Sequence, residues 1–183
     1  MGVVLVLLRV GRWHIALPLA VALLVVATWQ DGSVIDVPLV DWPVAVPLVL
    51  ALAGAGAGLL PLYSAVGGLE ATLVRTTSWR AVQLAGSLGA VVIAAWPAAY
   101  GVPDTTRLVC LLLVTGYVAV VAIGDAAWVV PVAIGGLAVV ADGAIDRPFS
   151  TALAQVPAGV WVALLLGACA SYIARGPREA RRA

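Results

Sequence analysis

The chain has 183 residues, 63% of them hydrophobic and only 10% charged, with a mean hydropathy of +1.11 and a net charge of +1. Soluble domains run nearer 45–50% apolar and about 25% charged, so this composition excludes an ordinary soluble domain. No basic stripe lies outside the two tails and one loop, which gives no reason to expect nucleic acid as a partner.

Along the chain, all seven tryptophans (Trp13, Trp29, Trp42, Trp79, Trp96, Trp128 and Trp161) fall where an apolar run meets a polar stretch. An indole ring is apolar but its N–H seeks a polar partner, so tryptophan favours the membrane–water interface. The marks delimit about six crossings and predict an all-α, polytopic transmembrane helix bundle. Six spans of about 20 residues take up roughly two thirds of the chain, which leaves room for one domain, 1–183, and no soluble one.

The first span is expected at 14–29. A secretory signal is the lesser reading of this region, because Arg9 and Arg12 follow an apolar stretch instead of preceding one. Further spans are expected at 43–63, 81–97, 107–123, 128–141 and 159–173. Several are shorter than the usual 17–25 residues, so each extends into its flanks or meets a locally thinned bilayer. The fifth is the least regular: 16 residues separate Asp125 from Asp142, with Pro131 among them, and a re-entrant element is the alternative.

Orientation follows from the arginines. With a cytoplasmic N-terminus, Arg9, Arg12, Arg75, Arg80, Arg175, Arg178, Arg181 and Arg182 lie inside, and only Arg107 and Arg147 lie outside. This positive-inside bias places both termini in the cytoplasm of a multi-pass plasma-membrane protein.

Small residues recur four apart at Gly54 and Gly58, and again at Ala163, Gly167 and Ser171. Such spacing lets helix backbones approach closely, a main source of association in lipid. It predicts helix packing, either within the bundle or against another subunit such as a second copy of the chain.

Catalytic chemistry is scarce. All ten basic residues are arginine, and without lysine there is no Walker A loop, so the chain is not itself a P-loop ATPase. His14 is the only histidine and sits at the edge of the first span, where a packing or headgroup role is expected. Cys110 and Cys169 lie in separate spans and lack redox or metal-site spacing, so both read as small buried hydrophobes. Every Asp and Glu maps to a loop or span boundary, which argues against a carrier working through a buried carboxylate. No catalytic, cofactor or metal residues are therefore expected in this chain.

Two segments stand out from the apolar helices. In the inner stretch 68–80, Leu69, Leu73 and Thr76 share a helical face, with Glu70 and Arg80 off it. This predicts an amphipathic helix on the inner surface, serving as a linker or as a docking surface. The outer loop 142–157, with Asp142, Asp146, Arg147 and Gln155, reads as a solvated connection that faces a substrate path if there is one.

The order of features also resembles small membrane subunits found beside ATPases in actinobacterial ABC-type export systems. The resemblance runs from Leu60-Pro61-Leu62 through Leu69-Glu70-Ala71 and the arginines Arg75 and Arg80 to Ala127-Trp128-Val129-Val130-Pro131. It implies a permease that binds a separate ATPase chain, which would hold the ATP, through cytoplasmic helices. Carried over, it assigns Leu69, Glu70, Leu73, Arg75, Arg80 and, at the short inner turn, Asp125 to partner contact.

The leading functional expectation is thus a membrane subunit of an ABC exporter. The alternatives are a substrate-capture subunit of a vitamin-type importer, whose subunit-contact motif Ala16 and Ala20 would fit, a membrane enzyme acting on lipid or isoprenoid, and an immunity or assembly protein.

Overall fold

A computed structural model describes residues 12–29, 34–36, 43–62, 76–99, 103–144 and 148–177. Among the described residues there are seven α-helices: α1 (Trp13–Trp29), α2 (Val46–Leu59), α3 (Thr76–Ala99), α4 (Pro103–Ile123), α5 (Val129–Ala144), α6 (Pro148–Gln155) and α7 (Ala158–Arg175). Two three-residue strands, β1 (Val34–Asp36) and β2 (Pro43–Ala45), pair antiparallel with Ile35 opposite Val44.

Proline and glycine set several boundaries. Pro103 opens α4 at the first helical position, where its missing N–H costs nothing, and Asp104 follows in the first turn. Pro131 is the third residue of α5, still within the turn whose N–H groups lack intrahelical partners, so the helix tolerates it. A 3-10 segment, Gly124–Trp128, joins α4 to α5, and Gly124 supplies the positive φ of 74° that a sharp reversal requires. At its end, α7 closes on Gly176 at φ +67°, followed by Pro177.

The structure departs from three expectations. The second span was expected to start at Pro43, but Pro43–Ala45 is extended and the helix begins at Val46. Within the stretch expected to lie on the inner surface, residues 76–80 are the opening turns of α3, continuous with the third span. The fifth region is one uninterrupted helix, and the outer loop contains an unforeseen helix, α6.

α3 is the hub. α2 packs along it antiparallel, with Gly54 against Ala94 and Ala95 and Gly58 against Val91 and Ser87. α1 runs beside α3 in the same direction, with Trp13 over Gly86 and Ala20 against Ala90 and Ala94. The main core joins Leu50, Ala51, Leu59 and Leu62 to Leu84, Val91 and Ala95 of α3, Val109 to Val121 of α4, and Ala168 and Tyr172 of α7. A second cluster lies where α7 begins, between α4, α5, α6 and α7.

The outer surface is apolar. Ile15, Leu17, Val21, Val82, Val92, Val132, Leu137, Val162 and Leu166 are all exposed. In water such a surface would be a severe aggregation liability, whereas in hydrocarbon it is the expected exterior. Three helical stretches are long and apolar enough to cross a bilayer, Thr77–Ala95, Thr105–Ile123 and Ala158–Arg175. Three shorter apolar stretches accompany them, Trp13–Trp29, Val49–Leu62 and Ala126–Ala141.

Candidate functional site: a buried polar seam

Most of the buried surface is hydrocarbon, so buried polar side chains are informative. Gln83 and Ser87 on α3 are fully buried, and so are Tyr117 on α4 and Tyr172 on α7. Arg80, Gln83 and Ser87 follow one another at spacings of three and four, which puts them on a single face of α3.

Each finds a partner on a different helix. The Tyr172 hydroxyl donates to Gln83 Oε1 at 3.0 Å. Ser87 Oγ and Tyr117 Oη share a hydrogen bond of 3.0 Å in which either is the donor. Arg80, half-buried, donates from Nη1 to the carbonyls of Ile173 at 3.2 Å and Ala174 at 3.4 Å. Those carbonyls belong to the last turn of α7, where the helix carries its negative end and its acceptors lack intrahelical partners. The N–H of Gly176 donates to Tyr172 O at 2.7 Å, and the Arg80 guanidinium packs directly over Gly176, where any side chain would collide with it.

The seam therefore ties three helices together at the end of the bundle where α3 begins and α7 ends. Interhelical hydrogen bonds in membranes average about 0.6 kcal/mol and reach about 1.7, so this is a modest stabiliser. Its stronger effect is geometric: an apolar interface tolerates sliding, but a satisfied polar pair specifies one register. Among the described residues the seam's hydrogen bonds run between hydroxyl, amide, guanidinium and backbone carbonyl groups, which makes it a lock between helices. No group of three or more His, Cys, Asp or Glu that could hold a metal lies together among the described residues.

Of the residues assigned to partner contact from the sequence, Leu69, Glu70, Leu73 and Arg75 lie outside the described residues. Asp125 lies in the 3-10 segment between α4 and α5. Arg80 is occupied internally by α7, a role the sequence reading had not given it. The small-residue positions divide. Gly54 and Gly58 are buried against α3, whereas Ala163 and Gly167 are exposed, Gly167 has no neighbour near its Cα, and Ser171 is half-buried. Ala16 and Ala20 are completely buried inside the chain, so they present no motif to another subunit. Cys110 and Cys169 are free thiols, each partly buried.

The tryptophans divide as well. Trp29 and Trp128 are exposed as belt residues should be, but Trp161 is buried and Trp13 lies over Gly86. Gln83, Ser87, Tyr117 and Tyr172 are buried polar residues that a reading of histidine, cysteine and carboxylate positions does not reach. Their signal was available: four polar side chains inside the expected spans 81–97, 107–123 and 159–173.

These features define a helical bundle with an apolar exterior and an internal polar lock, and three of its helices are long and apolar enough to span a membrane. No protein-family model matches the chain, and comparisons with curated proteins and with solved structures find no match either.

Proposed function

We propose that the chain is a multi-pass membrane protein of about six crossings with both termini in the cytoplasm, and that it serves as the membrane subunit of an ABC-type exporter whose ATPase is a separate chain. The membrane part is supported by the apolar exterior and by the eight-to-two distribution of arginines. The single observation that favours the coupling role is the Arg80 clamp. A push delivered to the start of α3 reaches α7 directly, because the opening turns of α3 are tied to the carbonyls that end α7. A cytoplasmic motor that displaces the start of α3 would thus move two helices as a unit. The missing lysine is consistent with an energy source on another chain.

Two experiments test the proposal. A cysteine placed at Ala183, with Cys110 and Cys169 replaced, should react with a membrane-impermeant maleimide only after the cells are permeabilised. Labelling of intact cells would overturn the orientation. For the coupling role, the chain isolated from its native membrane should bring with it a subunit that hydrolyses ATP. Leu69→Asp with Leu73→Asp, or Arg75→Glu alone, should lower that recovery about tenfold, the effect of losing about 1.4 kcal/mol of contact. Arg80 is left intact so that folding and docking are not confounded. Recovery of no ATPase with the wild-type chain, or unchanged recovery with all three substitutions, would sink the transporter reading and leave the membrane bundle standing.

A further inference from the structure

The second apolar cluster, at the end where α7 begins, contains one polar atom without an explanation. Ala55, Leu108, Leu112, Ala138 and Leu153 surround Trp161, with Ile134, Phe149 and Val156 alongside. Trp161 is 7% exposed, and its indole Nε1–H has no hydrogen-bond partner among the described residues. A buried tryptophan normally finds an acceptor for this donor, and leaving it unmade costs about 1–3 kcal/mol. Replacing the ring by an apolar one would avoid that cost, so the donor is the feature to account for.

Its surroundings narrow what it would bind. Among the described residues the walls are hydrocarbon, which disfavours an ion or a charged group. The indole is a donor only, so the partner must offer an acceptor. Trp161 is the fourth residue of α7, about 4–5 Å along the axis from the helix start at a rise of 1.5 Å per residue. On either side of it Val160, Val162 and Leu164 are exposed and offer a surface for hydrocarbon chains. Above the cluster lies α6, a helix of eight residues that packs on α4 and α5 and contributes Leu153, while Val156 and Pro157 connect it to α7. At the level of a helix end in a bilayer, the abundant neutral acceptor attached to hydrocarbon is the acyl-ester carbonyl, and tryptophan prefers that level.

We propose that Trp161 is the donor of a lipid-binding site beneath α6, which takes an acyl-ester carbonyl of a glycerophospholipid while the acyl chains lie along Val160, Val162 and Leu164. The inference rests on the membrane reading above. It assigns α6 a role as the roof of that site, whose displacement admits the carbonyl.

The test compares the full chain in nanodiscs of a diester phosphatidylcholine with the same chain in discs of the diether analogue, which lacks ester carbonyls. The Trp161 indole resonance, assigned by its disappearance in Trp161→Phe, should lie downfield and exchange its proton more slowly in the diester. Trp161→Phe should lower the unfolding temperature more in diester than in diether discs, because the loss of ring volume is common to both and the loss of the ester contact is not. Without a lipid partner the substitution shifts the unfolding temperature by the same amount in both lipids. Equal wild-type indole shifts in the two lipids would overturn the site, and so would an equal effect of Trp161→Phe in both, the donor then being paired with water or with nothing. The shift comparison uses the wild-type chain and needs no stable variant beyond the one that assigns the resonance. Trp29, 85% exposed, serves as the control for insertion. If the chain failed to enter discs of either lipid, the membrane reading would fall and the site with it, an outcome distinct from insertion without a Trp161 response.

Discussion

Gly58→Leu should prevent the bundle from assembling, and Gly58→Ala should destabilise it by about 1–3 kcal/mol, the usual cost of forcing extra atoms into a packed interior. A Cβ at this position would overlap Val91 Cγ2 and sit 3.1 Å from the Ser87 carbonyl oxygen. The valine methyl belongs to a β-branched side chain with few alternative rotamers in a helix, so it does not swing away. Gly54 is tight in the same way: its Cβ would lie 3.2 Å from Ala94 Cβ, Ala95 Cβ and the Ala95 backbone nitrogen, but none of these contacts is an outright overlap. Gly54→Ala should therefore cost less than Gly58→Ala.

Unfolding in detergent, followed by helicity, checks these expectations, and two further variants make them specific. Val91→Ala removes the colliding methyl, so its effect and that of Gly58→Ala should be coupled, the pair being more stable than the sum of the singles predicts. Gly56→Ala, on the open side of the same helix with nothing near its Cα, should leave stability unchanged. Equal effects at Gly56 and Gly58 would mean that α2 does not present this face to α3. Gly167→Leu on α7 should also leave the isolated chain intact.

Arg80→Glu should loosen the end of α7 and cost about 2 kcal/mol, the upper range for a partly buried cation at a helix C-terminus. The guanidinium donates to two carbonyls of the last turn and covers Gly176, whose φ of +67° favours glycine. A carboxylate there would face carbonyl oxygens and repel them. Arg80→Lys should fall between, since an ammonium keeps the charge but not the planar fork. Hydrogen exchange of the 172–176 amides should accelerate in Arg80→Glu before the rest of the bundle is affected, because the loss is local to that turn. An unchanged exchange rate would mean that Arg80 contributes nothing to the end of α7 and is free to meet a partner. This is also why charge reversal at Arg80 is a poor probe of ATPase docking, whereas Arg75, Leu69 and Leu73 are better ones.

How legible the fold was depended on where each helix meets its own hydrogen-bonding needs. In lipid every backbone N–H and C=O must be satisfied within the segment, so a long apolar run already implies a helix. The reading 14–29 meets α1 at Trp13–Trp29, 107–123 falls within Pro103–Ile123, and 159–173 falls within Ala158–Arg175. The errors lay at the ends, where polar residues adjoin the apolar run. Residues 76–80 read as part of a separate surface helix although they continue into α3, and 142–157 reads as a solvated connection although Pro148–Gln155 is helical.

The candidate site was less legible, because in a membrane bundle both the lipid-facing and the core-facing sides of a helix are apolar. The alternation that reveals a buried face in a soluble helix is therefore weak. Gly54–Gly58 and Ala163–Gly167 are equivalent as patterns, yet one pair is pressed against α3 and the other lies open. Trp29 and Trp161 both stand at the edge of an apolar run, yet one is exposed and the other enclosed with its donor unpaired among the described residues. Local composition determined that this chain forms apolar helices, and roughly where, because backbone hydrogen bonding in a helix is satisfied among residues four apart. Which face of each helix is covered, that Arg80 caps α7, and that Gln83 meets Tyr172 were decided by the tertiary structure alone, because they depend on neighbours up to 94 residues away in sequence.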